Sequence, residues 1–230
     1  MLRRFALALL LAVAPLATAT CGPDGPVSPD AGPDAGPDAP HGCTLGFVGD
    51  KAKDPELTVT VLGAAAPAVP IADGDMVPLI FPPQGGRVIF AGVRVRNVDP
   101  CGAVLTGALR DVQTQQVRLD ARTINLLPAS DGWGESDATD SSSFSNIPVC
   151  PNQWSMTNVY GTAYQLEISL TDRAGRTVSR KLKVTPRCAE PDGLAECLCT
   201  CQGGYKLGMT CNSADAGADG GDAGDTGDSQ

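Results

Sequence analysis

Between residues 57 and 184 the chain repeatedly alternates apolar and polar side chains with period two, the pattern of strands buried on one face. Leu57, Val59 and Val61 share one face and Thr58 and Thr60 the other. Ile89, Ala91, Val93 and Val95 lie opposite Arg94 and Arg96. Val117, Leu119 and Ala121 alternate with Arg118, Asp120 and Arg122, which predicts an apolar inner face and a charged outer one. Tyr164, Leu166, Ile168 and Leu170 alternate with Gln165, Glu167, Ser169 and Thr171. In the last run Val178, Leu182 and Val184 oppose Ser179, Lys181 and Lys183, and Arg180 breaks the pattern, as at an edge or a bulge.

The punctuation agrees with strands. Pro82-Pro83-Gln84-Gly85-Gly86 separates Val77–Phe81 from Arg87–Val98, and Asp172-Arg173-Ala174-Gly175 joins the last two runs. No segment longer than ten residues shows clean helical periodicity. One-sided strands with Gly/Pro turns predict an all-β, antiparallel β-sandwich. Leu127 to Tyr160 is polar, rich in Gly and Ser, and reads as an irregular insertion carrying both tryptophans, Trp133 and Trp154.

The segment from Tyr164 through the Asp172–Gly175 turn to Val184 resembles the closing hairpin of bacterial Ig-like domains, which have a Tyr-led strand, an Asp-x-x-Gly turn and a Val-rich strand. The resemblance covers about 25 residues and implies an Ig-like or fibronectin-like sandwich over residues 43–187, longer than the usual ~100 residues because of the insertion at about 127–160.

The ends read differently. Met1-Leu2-Arg3-Arg4 precedes an apolar run from Phe5 to Ala19, too short for a bilayer-spanning helix of about 20 residues. A basic start, a short apolar run and a small-residue end describe a signal peptide, residues 1–20. Ala17-Thr18-Ala19 offers an ordinary cleavage site, and Thr18-Ala19-Thr20-Cys21 resembles the lipobox of bacterial lipoproteins, with Thr where the family prefers an aliphatic residue and Gly or Ala. That resemblance implies lipidation at Cys21, and a membrane partner through the lipid, at the outer membrane of an exporting bacterium. A soluble secreted protein is the alternative.

Residues 21–42, in which Pro-Asp-Ala-Gly repeats between Pro29 and Pro40, cannot offset chain entropy by burial and read as an extended tether. Residues 212–230, with five Asp and no base, read as a disordered acidic tail. The formal charge of −9 comes mostly from these ends, since residues 41–211 hold 17 acids and 15 bases. This argues against a nucleic-acid partner.

Cysteine arithmetic supports export. Of nine cysteines, lipidation of Cys21 would leave eight for four disulfides: Cys43, Cys101, Cys150, Cys188, Cys197, Cys199, Cys201 and Cys211. The last five form a cysteine-rich appendage over residues 188–211. Cys199-x-Cys201 with Gly204, Tyr205 and Cys211 resembles the end of an EGF-like module, although that family carries six cysteines and this cluster five. Eight cysteines allow 105 pairings. Cys201–Cys211 in the tail and Cys101–Cys150 in the sandwich are the pairs favoured here. Zinc on Cys-x-Cys-x-Cys conflicts with an oxidising setting and lacks the usual spacing.

Catalytic machinery is sparse. The single His, His41, sits beside the tether, away from any buried carboxylate that could orient it. Even cysteine parity leaves no free nucleophile, and no phosphate loop is present. The remaining constellation is acidic: Asp131, Glu135, Asp137 and Asp140 beside Trp133 in the insertion. They suit Ca²⁺, the one cofactor the residues suggest, or the carboxylate pair of a secreted hydrolase. Trp133, Trp154 and Tyr160 would form a ligand-binding, for instance glycan-binding, platform. The sequence thus favours a non-enzymatic envelope protein with a binding, adhesion or structural role toward an envelope protein or glycan. A Ca²⁺- or carbohydrate-dependent adhesion module and a hydrolase are the alternatives.

Overall fold

The computed structural model describes Cys43, residues 45–64 and residues 67–211. The segments read as signal peptide, tether and acidic tail, with Cys21 and His41, lie outside the described residues.

Among the described residues eleven strands form two sheets. In the first, β1 (Glu56–Val61) pairs antiparallel with β2 (Val69–Pro70) on one side and β4 (Arg87–Arg96) on the other. The ten-residue β4 is shared along its length. Its first half pairs with β9 (Ser145–Cys150), and Arg94 and Val95 pair with β8 (Gly134–Glu135), itself paired with β7 (Leu127–Pro128). In the second sheet the order is β3 (Met76–Leu79), β11 (Thr177–Cys188), β10 (Tyr164–Thr171), β5 (Ala103–Arg110) and β6 (Val117–Ile124). All these pairs are antiparallel except β3 with the last four residues of β11. A seven-residue helix, α1 (Leu194–Thr200), follows.

The alternation read from the sequence builds the core. Leu57, Val59 and Val61 of β1 and Ile89, Ala91, Val93 and Val95 of β4 are buried against Leu105, Leu109, Leu166, Ile168, Leu170 and Val184 of the other sheet. Each full burial of a side chain this size contributes about 1.5–3 kcal/mol. The closing hairpin turns as its sequence indicates. Gly175 takes φ +78°, its N–H donates to Asp172 O, and the buried Asp172 carboxylate accepts from the N–H groups of Arg176 and Asp99. Arg180 sits where β11 has lost its second strand neighbour, and its Nε reaches Leu57 O across the open margin of the sandwich (3.3 Å).

Four readings of the sequence change. The stretch 127–160 is not an irregular insertion throughout: Ser145–Cys150 is a strand of the first sheet, with Ile147 and Val149 in the core. Its neighbour Phe144 belongs to a satellite core on the outer face of that sheet, with Ile80, Val88 and Phe90. A Cβ on Gly92 would come within 2.5 Å of the Phe144 ring, which is why β4 has glycine there.

β5, which the period-two reading did not mark, is the strand between β10 and β6 in the second sheet. Its Gly107 faces Ser145 and Ile147 so closely that a Cβ would stand 2.4–3.0 Å from their side chains.

The third change concerns β6, whose faces are exchanged. Leu119 pairs with Ala108 and Val117 with Arg110, on the outside, while Arg118, Asp120 and Arg122 turn inward beside Leu109, Gly107 and Leu105. The inner face of this edge strand meets the margin of β9 rather than dry core. There the Asn146 N–H needs an acceptor and finds the Asp120 carboxylate (2.7 Å), which Arg122 also holds (2.8 Å), and Ser145 Oγ donates to Asp120 O (3.0 Å).

The eight expected cysteines do form four disulfides, but in other pairs. Cys101 bonds Cys43 rather than Cys150, and Cys201 bonds Cys150 rather than Cys211. Cys188–Cys197 and Cys199–Cys211 complete the set. The reason is topological: α1 packs its Cys197 and Cys201 onto the core next to β9 and β11, which carry Cys150 and Cys188. Cys101, in the turn between β4 and β5, lies instead beside the chain leading into β1, where its Sγ approaches Leu45 O (3.5 Å).

Candidate binding face

The residues singled out in the insertion are dispersed by the fold. Trp133 lies on the outer face of the first sheet, its ring beneath the guanidinium carbons of Arg94 (5.4 Å) and Arg96 (4.9 Å). Trp154 is interior, its indole N–H donating to Val149 O (2.8 Å) and its ring packed on Tyr164 at 5.4 Å. Tyr160 is half-buried against the main core. The three do not form one platform, because Trp154 is used as core at the end of the sandwich.

The four carboxylates do not converge either. Asp131 binds Arg94 with both oxygens at 2.8 Å. Glu135 stands across from Arg94 on β8. Asp137 accepts from Thr139, and Asp140 caps the turn Ser141–Ser143. The hydroxyl and backbone N–H of Ser142 hold the Asp140 carboxyl below its ordinary value. Among the described residues the one group of three potential metal ligands within 4.8 Å is Cys188, Cys197 and Cys201, all in disulfides. Thiolates, not disulfide sulfurs, ligate metals.

Two buried polar clusters do local structural work. Arg87, at the start of β4, is almost fully enclosed and binds Glu190, Glu196 (3.3 Å) and Gly193 O (2.9 Å), which docks the segment before α1 beside a cavity of about 610 Å³. At the other cluster the buried Asp111 accepts from Ser155 Oγ (2.8 Å) and from the N–H groups of Gln113 (2.8 Å) and Thr114 (3.2 Å), and Ser155 Oγ also meets the Tyr164 hydroxyl (2.9 Å). This Ser–Asp–Tyr network ties the turn after β5 to the start of β10.

The exchanged faces of β6 leave a different feature. The outer face of the second sheet carries Val104, Val117 and Leu119 at 43%, 42% and 57% exposure, beside Ala108 and Ala121. The outer face of the first sheet, by contrast, is covered by Phe144 and Trp133. Strand register sets the neighbours in rows. Leu119, Ala108, Glu167 and Lys181 form one row, and Val117, Arg110, Gln165 and Lys183 the next. Along the first of these rows runs a groove of about 330 Å³, lined among others by Thr106, Leu119, Glu167 and Lys181.

Glu167 sits between two cations, Arg110 Nε at 3.2 Å and Lys181 Nζ at 3.4 Å. Partial burial pushes its carboxyl up, but the hydrogen bonds and charges of Arg110 and Lys181 outweigh that and hold it below its ordinary value. With Arg110, Lys181 and Lys183 against one carboxylate, the face is basic on a chain whose net charge is −9.

Val104, Val117 and Leu119 thus form an exposed aliphatic stripe on an otherwise polar sheet face. The signal for it was present in the sequence as the alternation of β6. What the sequence did not carry was which of the two faces would be inside. A scan against protein-family models finds no match to this chain, and a search of curated proteins finds none either.

Proposed function

We propose that this chain is an exported lipoprotein, anchored through Cys21 and held off the membrane by the tether, whose Ig-like sandwich binds a partner without catalysis. Four disulfides fit an oxidising compartment, and no helix among the described residues is long and apolar enough to cross a membrane.

Strand order supports the Ig-like reading. One sheet has β1, β4 and β9 adjacent, and the other has β3 parallel to the last strand, followed by β10, β5 and β6. Tyr164 opens β10 and its hydroxyl turns back to Ser155 Oγ and toward Asn158 O (3.5 Å), as the tyrosine corner of such sandwiches does. None of the four bridges joins one sheet directly to the other, a departure from antibody domains.

The observation that carries the binding role is the exposed aliphatic stripe of β5 and β6 beside a basic rim. Aliphatic rather than aromatic side chains suit protein better than sugar rings, and the rim selects an acidic partner by charge complementarity. The reading is therefore binding of an acidic envelope protein on the outer face of the second sheet.

Two measurements test it. Intact mass of the chain extracted from membranes should give a polypeptide starting at Cys21 with an acyl increment, and eight thiols only after reduction. A chain starting at Thr20, without lipid and with one free thiol, overturns the anchor. For the face, a photo-crosslinking residue at position 119 in intact envelopes should give a protein adduct that falls at least tenfold on Lys181→Glu/Lys183→Glu. The same residue at position 69, which is similarly exposed on the first sheet, should give none. No adduct at 119, or one indifferent to charge reversal, overturns this face.

A further inference from the structure

The sulfurs of Cys188, Cys197 and Cys201 lie within 4.8 Å of one another although they belong to two different disulfides. Across the gap between the bridges, Cys197 Sγ stands 3.9 Å from Cys201 Sγ. Both are buried, one helical turn apart at α1 and its C-terminal cap, whereas Cys188 at the end of β11 is half-buried. These two bridges are the covalent ties between the segment after β11 and the sandwich, one to β11 and one to β9. The remaining bridge of the segment, Cys199–Cys211, closes within it.

From this arrangement we infer that the two bridges form an exchange pair, so that one two-electron reduction at Cys188–Cys197 releases both ties of the C-terminal segment. The reductant is a dithiol, such as the Cys pair of an envelope thiol oxidoreductase. Its thiolate attacks Cys188 Sγ, the more accessible sulfur, and the Cys188–Cys197 bond breaks to expel the Cys197 thiolate. The second thiol of the reductant resolves the mixed disulfide, leaving Cys188 as a thiol and the reductant as its own disulfide.

The buried Cys197 thiolate then attacks Cys201 Sγ beside it. A Cys197–Cys201 bond forms, the Cys150–Cys201 bond breaks, and Cys150 leaves as a thiolate that takes up a proton. Two electrons enter, one disulfide is lost, and thiols appear on Cys188 and Cys150. Residues four apart on a helix have Cα atoms roughly 6 Å apart, within the span a disulfide bridges. Afterwards no disulfide fastens the segment to β9 or β11, and only the peptide chain after Cys188 links it covalently to the sandwich. What then holds it is noncovalent: Arg87 on Glu190 and Gly193, and the Asn152 side chain donating to Gln202 O (3.0 Å).

The test is limited reduction of the folded, mature chain with dithiothreitol, an acid quench, alkylation, and location of the alkylated cysteines by fragmentation mass spectrometry. Among molecules that have lost Cys188–Cys197, the expected thiols are Cys188 and Cys150, at least tenfold over Cys188 and Cys197, with Cys197 bonded to Cys201. The same molecules should be cleaved by a protease between residues 189 and 211 at least tenfold faster than the oxidised protein. Thiols on Cys188 and Cys197 with Cys150–Cys201 intact overturn the inference, and so does a Cys188–Cys197 bridge that resists reduction until the chain unfolds. In Cys188→Ser the single unpaired thiol of the domain should be found on Cys150. Finding it on Cys197 has the same overturning force and needs no reductant.

Discussion

Replacing Cys150 and Cys201 together by Ala is expected to lower the stability of the sandwich by about 4 kcal/mol, the chain-entropy value for closing a loop of this length. The bridge spans 51 residues and fastens the end of β9 to the cap of α1, with both sulfurs buried in the main core. In the unfolded chain it closes a loop nearly as long as the 58-residue span of Cys43–Cys101 and far longer than those of the two short bridges, so its loss returns much freedom to the state that competes with folding. For a domain of this size the thermal midpoint should fall by roughly 10 °C.

The informative comparison is Cys199→Ala/Cys211→Ala, which removes a bridge spanning 12 residues inside the segment. That segment can loosen while the two sheets stay folded, so the global unfolding free energy should move by less than about 1 kcal/mol. Equal shifts in the two double variants, read from urea unfolding without reductant, would show that the segment is part of the core's cooperative unit.

The contrast between those bridges also shows where the sequence was informative. Strands with one face against dry core were legible, since β1, β4 and β10 must alternate to bury Leu57, Val93 or Leu166 and solvate their neighbours. β5 was not, because its centre is Thr106-Gly107-Ala108, where the inward Gly107 makes room for the close approach of β9 and the outward Thr106 and Ala108 add no apolar–polar contrast. β9 was hidden by Pro148 and by the polar Ser145 and Asn146, which serve the margin facing β6.

The same margin inverted β6. Its alternation was visible, but periodicity gives two faces and does not say which is inside, and here the polar face satisfies backbone groups of β9 while the apolar one is left to solvent. The candidate face was therefore written in the sequence with its orientation reversed. The disulfide pairs depended on where α1 lands, which no local pattern encodes.

Asp111 supplies the second large effect, and its sign with pH can be worked out. The residue is buried at the turn after β5 and holds Ser155, and through it Tyr164, at the end of the sandwich. Burial alone pushes its carboxyl up. The Ser155 hydroxyl, the N–H groups of Gln113 and Thr114 and the Thr114 hydroxyl outweigh that, and the carboxyl lies below its ordinary value of 3.8. A carboxyl depressed in the folded state binds its proton more readily in the unfolded one. Its contribution is therefore complete above the unfolded value near 3.8 and is lost as pH falls through the folded value.

Asp111→Ala leaves Ser155 and two backbone N–H groups without their acceptor in a buried site, and should cost about 3 kcal/mol at pH 7. Asp111→Asn keeps one acceptor oxygen and the shape but cannot titrate. The wild-type advantage over Asp111→Asn should be constant from pH 7 to about pH 5 and shrink below pH 4, as measured by urea midpoints at each pH. Among the described residues no Arg or Lys contacts this carboxylate, its hydrogen-bond partners being hydroxyls and backbone N–H groups, so the difference should be insensitive to salt. An advantage that persists unchanged to pH 2 would mean that the depressed carboxyl is not what Asp111 contributes. The Ser155–Tyr164 network would then be held by packing around Trp154 instead.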